Sequence, residues 1–290
     1  MEYMIQLVVS GLAIGAIYGL IAMGFAVIYK ATGLVNFAQG EMTMIVAYIA
    51  WTISTTVSGN VVVVALGAIA AAIVLGLVIE RAIMRPMLGE SVFATVMVTI
   101  GLAVILRSLV TLIWDAYPHA LDLSVGRDVL RAGPLAARGS QIAVIAMLLA
   151  MLAAFWAFFR FSKFGIAMRA VAADDRTALL MGISAARIHA VAWAASSIIA
   201  GIAGVFFAMS YDLSPAIFQL GLKAFPATIL GGLDSVFGSG LGGLIIGVVE
   251  NLAGGYLGSA MKDVAGFALI IVVLMVRPFG LFGERDIERV

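Results

Sequence analysis

Val61-Val62-Val63-Val64-Ala65-Leu66-Gly67-Ala68-Ile69-Ala70-Ala71-Ala72-Ile73-Val74-Leu75-Gly76-Leu77-Val78-Ile79 contains no charged side chain and no side chain that hydrogen-bonds. A helix resting on a soluble core keeps a polar stripe toward water, and this run has none. Its length matches the roughly 20 apolar residues that a helix needs to cross hydrocarbon. Ile142 to Phe159 is a second run without charge. Outward from these two, the 290-residue chain is 63% hydrophobic and 11% charged, against about 25% charged residues in soluble domains. So few charges cannot cover a water-facing surface. Segments of ten alternating residues are absent, so the spans are helices and not barrel strands. The expected fold class is all-α: one polytopic transmembrane helical bundle over residues 1–290, with about 8 to 9 membrane segments.

The absence of cysteine rules out disulfide and thiol chemistry. Basic residues sit at segment ends and form no stripe, so a net charge of +1 argues for no nucleic-acid partner. Met1-Glu2-Tyr3-Met4 lacks the basic start of a secretory signal, and the first apolar segment is expected to stay as a span.

The segments fall at about Ile5 to Tyr29, Leu34 to Thr56, Val61 to Ile79, Ser91 to Trp114, Gln141 to Phe159 and Ile188 to Met209. After Ser214-Pro215 come short pieces near Phe218 to Leu230 and Val236 to Asn251, then a last span ending at Val276. Lys and Arg mark the cytoplasmic connections. Lys30, Arg81 with Arg85, the stretch 160–187, and Arg277 with Arg285 and Arg289 are therefore expected inside, which leaves the N-terminus outside. Arg127, Arg131 and Arg138 fall on the outer side, accompanied by Asp115, Asp122 and Asp128. From Asp212 outside to Arg277 inside the chain crosses an odd number of times, yet a piece of about 13 residues reaches only about 20 Å. A discontinuous element is expected near 215–251, its ends buried in protein. Gly33-Leu34-Val35-Asn36-Phe37-Ala38 echoes Gly221-Leu222-Lys223-Ala224-Phe225-Pro226, one near each expected face. That is the pattern of inverted-repeat-like halves.

Catalytic and metal motifs are missing: there is no His-Glu-x-x-His, no Gly-x-Ser-x-Gly and no Walker A pattern, and His119 and His189 stand apart. The chain is expected to be no enzyme, with no catalytic residue, no metal site and no cofactor of its own. Asn36, Gln39 and Glu41 crowd the start of the second segment, where they either cap the helix or line a translocation path. Glu250 and Lys223 pose the same choice. Arg107 is long enough to snorkel toward the nearer interface. Gly11, Gly15 and Gly19, Gly201 with Gly204, and the glycines from Gly238 to Gly247 make smooth surfaces for close helix approach.

The charged stretch 160–187 is too polar to cross. Its Ala-rich middle reads as helix, and Leu179, Leu180 and Met181 are apolar residues that a solvated loop does not need. A short amphipathic helix that docks into a partner explains them.

Two motifs carry a family resemblance. Gly33-Leu34-Val35-Asn36-Phe37-Ala38-Gln39-Gly40-Glu41 resembles the Gly-x-x-Asn-Phe-Ala-His-Gly-Glu signature of LivH-type permease subunits of branched-chain amino acid ABC importers, with Gln39 where His is usual. Ala172-Ala173-Asp174 with Gly182-Ile183 downstream is similar to the permease coupling motif, although its Glu is missing. Gly231-Gly232-Leu233-Asp234-Ser235 and Arg277-Pro278-Phe279-Gly280-Leu281-Phe282-Gly283 are also similar to the family's, so the resemblance extends over essentially the whole chain. The resemblance implies a bacterial inner-membrane subunit working with a second, related permease, two cytoplasmic ATPases and a periplasmic solute-binding protein. ATP and magnesium would sit on the ATPases. Ala172, Ala173, Asp174, Ala178, Leu179, Leu180 and Gly182 would form the ATPase coupling surface, and alternating access would move a small solute. Relatives handle branched-chain amino acids, while similar permeases take urea, amides or small carboxylates. A secondary transporter is the alternative from another mechanism, with only Glu41, Lys223 and Glu250 available for ion coupling.

Overall fold

The structure is a computed structural model that describes residues 2–123, 128–132, 135–173 and 175–283. Arg127, Asp174, Arg285 and Arg289, which entered the sequence reading, lie outside the described residues. The helices are α1 (Glu2–Thr32), α2 (Gln39–Thr56), α3 (Val61–Ile79), α4 (Val92–Trp114), α5 (Gly139–Phe161), α6 (Lys163–Ala173), α7 (Asp175–Leu180), α8 (Ala185–Ser210), α9 (Gln219–Gly231), α10 (Val236–Tyr256) and α11 (Met261–Val276). The expected all-α bundle is what forms, and a hairpin of β1 (Val129–Ala132) with β2 (Leu135–Arg138) adds two antiparallel strands to the loop before α5. Among the described residues six helices are long and apolar enough to cross a membrane: α1, α3 with its extension to Met87, α4, α5, α8 and α10. Helices α2, α9 and α11 are shorter or more polar. The chain is thus a multi-pass membrane protein.

Local chemistry sets the boundaries. The Asn60 side chain accepts from the Val62 amide and opens α3. Ser91 accepts from Ala94 and opens α4, and Ser235 accepts from Gly238 and opens α10. Past Ile79 the helix widens into a π turn, Glu80–Met84, before Pro86 stops it.

Helix α1 sits at the centre, and Ala16, Leu20, Ile21, Ala22 and Met23 are fully buried in it. It runs antiparallel to α10 with glycine facing glycine. A Cβ on Gly15 would lie 2.7 Å from the Gly243 carbonyl oxygen, and one on Gly11 would lie 2.8 Å from Val248 Cα. Without a hydrophobic force between helices in lipid, backbone approach of this kind supplies the dispersion that holds them.

The halves pair with the symmetry that the sequence echo suggests. Helix α1 packs on α8, α9 and α10, and α8 packs on α1, α2 and α3. Helix α4 packs on α2, and α11 packs on α9. Residues 2–114 and 185–276 thus repeat one pattern of helix contacts, as two units joined by α5, α6 and α7.

Both units are broken at the same place. The Gln39 side chain lies against Gly24 of α1, eight residues before α1 ends, so α2 starts about 12 Å back along α1. Residues 33–38 carry the chain back into the bundle. In the second unit, after α8 ends at Ser210, residues 211–218 return inward through a bridge between Leu213 and His119 and a 3₁₀ turn, Pro215–Phe218. The discontinuous element near 215–251 is present as α9 followed by α10. One end of the bundle gathers Lys30, Arg85, Arg169, Asp234 and Pro278 and is the basic end below. At the far end Tyr3 packs edge-on against Tyr256, and His119 stacks on Trp51.

Candidate translocation site

The starts of α2 and α9 meet inside the bundle. Gly40 and Gly221 are in backbone contact, and a Cβ on Gly221 would lie 2.7 Å from both Cα and N of Gly40. Only glycine permits this approach. The two copies of the sequence echo touch as well: the rings of Phe37 and Phe225, at matching positions, have centroids 5.8 Å apart.

Around this junction the polar side chains are buried. Asn36 Oδ1 accepts from the Ala38 amide at 3.0 Å, and Asn36 Nδ2 donates to Gln39 Oε1 at 3.2 Å. Ser196 Oγ on α8 lies 3.0 Å from the same Gln39 oxygen and 2.9 Å from the Gly24 carbonyl, and shares its one proton between these two acceptors. One small network therefore ties α1, α2 and α8 together. Each buried hydrogen bond of this kind contributes about 1 kcal/mol, and an unmet partner costs about 1–3 kcal/mol. Gln39 Nε2 and Ser197 Oγ are buried and make no hydrogen bond.

Glu41 does not cap α2. Its carboxylate is held by Arg107 Nη2 at 2.5 Å and is only 3% exposed. Arg107 does not snorkel: it turns into the bundle from α4, with its guanidinium carbon 3.3 Å from the centroid of Phe218. An inward turn toward a buried carboxylate and an aromatic face offers it more than the interface does.

The other two path candidates lie elsewhere. Glu250 is buried on α10 between α1 and α11, where it accepts from Tyr18 Oη at 3.1 Å and lies against Gly266. Lys223 leaves the bundle interior and pairs with Asp263 at the start of α11, 2.6 Å away and 63% exposed. Asn36 and Gln39 thus share one network, Glu41 makes a separate pair with Arg107 two residues further on, and Glu250 and Lys223 lie apart from both.

Beneath the junction a cleft of about 860 Å³ opens at the basic end, lined by Lys30, Glu80, Arg85, Arg169, His189 and Asp234 among others. Its wall reaches Gly33, Leu34 and Thr95, so it approaches the α2 break. Arg85 grips Glu80 with two parallel bonds, Nε to Oε1 at 3.1 Å and Nη2 to Oε2 at 3.0 Å. Lys30 Nζ donates to the Asp234 carbonyl at 2.9 Å and fastens the end of α1 to the turn before α10. Among the described residues no three His, Asp or Glu gather into a metal-holding group.

Of the coupling candidates, Leu180 is 86% and Met181 79% exposed at this end, with Leu179 and Ala172 also exposed. Gly182 adopts φ +82° and closes α7, with Ile183 N bonded to the Ala178 carbonyl. Ala178 itself is buried and cannot belong to an exposed surface. Ala173 ends α6.

Sequence reasoning missed Ser196, Thr99 and the inward role of Arg107. Thr99 Oγ accepts from the Phe37 amide at 3.3 Å within the broken stretch. A lone Arg inside an apolar helix, in a chain with one acidic residue at a helix break, was the available signal for the pair.

The family described as "Branched-chain amino acid transport system / permease component" matches residues 7–274. The chain is 34% identical over 302 residues to the high-affinity branched-chain amino acid transport system permease protein BraD of Pseudomonas aeruginosa, covering 99% of this chain and 98% of the relative. It is 34% identical over 304 residues to the protein of that description named LivH in Escherichia coli K12, with the same coverage. A probable branched-chain amino acid transport permease protein LivH of Methanocaldococcus jannaschii is 27% identical over 91% of this chain and 88% of its own length. No solved structure matches.

Proposed function

The chain belongs to the permease component family of branched-chain amino acid transport systems, and from that premise we propose that it is the membrane path of an ATP-driven importer for branched-chain amino acids. The observation that carries the reading is the meeting of the two helix breaks. Each half contributes one, the first brings buried Asn36, Gln39 and Glu41 close to the junction, and a cleft at the basic end reaches toward it. Broken helices at the interface of inverted repeats are where transporters hold small polar solutes.

In this reading the basic end is cytoplasmic, by the usual excess of Lys and Arg on that side, and the N-terminus lies outside in a bacterial inner membrane. The exposed apolar residues of α7 then press into an ATPase, two of which carry ATP and magnesium. A second, related permease completes the path, and a periplasmic binding protein meets the far end around β1, β2 and the Leu213 bridge. Closure of the ATPases moves α6 and α7, and through α8 the two breaks separate toward the far end while the basic-end cleft closes.

Reconstitution with the ATPases, the partner permease and the binding protein tests the reading. The expected result is co-purification of the ATPases and leucine uptake that stops without ATP. Uptake that persists without ATP and follows an ion gradient would mean secondary transport instead.

A further inference from the structure

Resting on the importer reading, we propose that the Glu41–Arg107 pair is a gate that a zwitterionic solute opens by exchanging partners, its carboxylate passing to Arg107 and its ammonium to Glu41. Arg107 joins three elements at one point. It extends from α4, pairs with Glu41 in the first turn of α2, and sets its guanidinium carbon 3.3 Å from the ring centroid of Phe218, the residue before α9. Behind it Gly40 and Gly221 are in backbone contact. The two breaks cannot part toward the far end while this clamp holds.

The clamp is only half used on its cationic side. In the same molecule Arg85 presents the Nε and Nη2 edge of its guanidinium to Glu80 and fills both positions. Arg107 presents the same edge but engages Glu41 through Nη2 alone, and its Nε is buried without a hydrogen bond. That edge has the geometry for a bidentate carboxylate.

Charge balance selects the solute. Glu41 is buried, so the clamp cannot open and leave it without a counter-charge. A simple anion would satisfy Arg107 and strand buried Glu41, a neutral molecule would satisfy neither, and a simple cation would leave the Arg107 fork, 39% exposed, to water alone. An α-amino acid carries both charges on one carbon and replaces the pair with two new pairs, so the total charge stays the same throughout.

Saturation-transfer NMR on the detergent-solubilised complex without binding protein, using leucine, 4-methylpentanoate and isoamylamine, reads recognition. Efflux of radiolabelled leucine from loaded proteoliposomes reads the gate. Both run without ATP, so their outcome is separate from that of the ATP-dependence test above. The wild-type complex is expected to transfer saturation to leucine and to neither single-charge analogue. The double variant E41Q/R107Q, which strands no charge, loses that transfer, and its efflux rises at least about tenfold, the scale of one lost charge-assisted contact. A double variant that co-purifies with its partners yet shows wild-type efflux and wild-type leucine transfer would overturn the proposal. If that variant fails to assemble, R107K decides the matter: it keeps the charge but loses the fork and the stacking, and unchanged leucine transfer would overturn the proposal equally.

Discussion

Replacing Gly221 by valine is expected to reduce ATP-driven uptake at least about tenfold while the protein still reaches the membrane. The reason lies in the backbone. The Cβ alone would sit 2.7 Å from Cα and N of Gly40, closer than real Cβ contacts, and both opposing atoms are main chain that cannot rotate away. Overpacking of this kind costs about 1–3 kcal/mol, and here the strain falls on the one point where the halves must meet and part. Gly221 lies three residues into α9 and its substitution leaves the α1 and α10 glycine contact untouched, so the bundle has its main packing to rely on. Uptake by membranes matched for protein level measures the effect. Wild-type uptake by Gly221→Val would show that the breaks need not be in contact.

The second large effect is expected at the opposite surface. Leu180→Arg should leave folding intact, because Leu180 is 86% exposed, and should abolish leucine-stimulated ATP hydrolysis together with uptake. A buried apolar anchor at an interface carries about 2 kcal/mol or more, and a charge in its place adds desolvation. Ala178 serves poorly for the same purpose. It is buried, and Ala178→Arg would dislodge α7 from the bundle whether or not an ATPase docks there. Stimulated hydrolysis and co-purification at wild-type levels in Leu180→Arg would remove α7 from the coupling surface.

The apolar runs were legible because hydrocarbon leaves a backbone no other option than helix, and the limits of α1, α3, α4, α5 and α8 fall within a few residues of the expected ones. The break near 215–251 was legible too, since a piece as short as α9 cannot fill a full span by itself. The start of α2 was placed too early: Leu34 reads as apolar and span-like, but residues 33–38 form an irregular bend and turn, because the Asn36 side chain takes the Ala38 amide and Gly33 has φ +68°. Site chemistry was legible only in part. Proximity in sequence pointed to Asn36, Gln39 and Glu41, but their side chains part: Gln39 faces α1 and α8, and Glu41 faces α4. Their partners Ser196, Thr99 and Arg107 come from two other helices, and no local pattern fixes which face of a uniformly apolar helix turns inward. Glu250 and Lys223 were grouped with the path for their charge alone, and the fold gives each its own partner, Tyr18 and Asp263.

A short cross-link between the two breaks tests the account most directly. The chain has no cysteine, so Phe37→Cys/Phe225→Cys places the only thiols at the junction, where the native rings stand 5.8 Å apart. A short bifunctional methanethiosulfonate is predicted to join them, to arrest ATP-driven leucine uptake in the reconstituted complex, and to release it on reduction. Efficient cross-linking with undiminished uptake would contradict the claim that solute passes where the two broken helices meet.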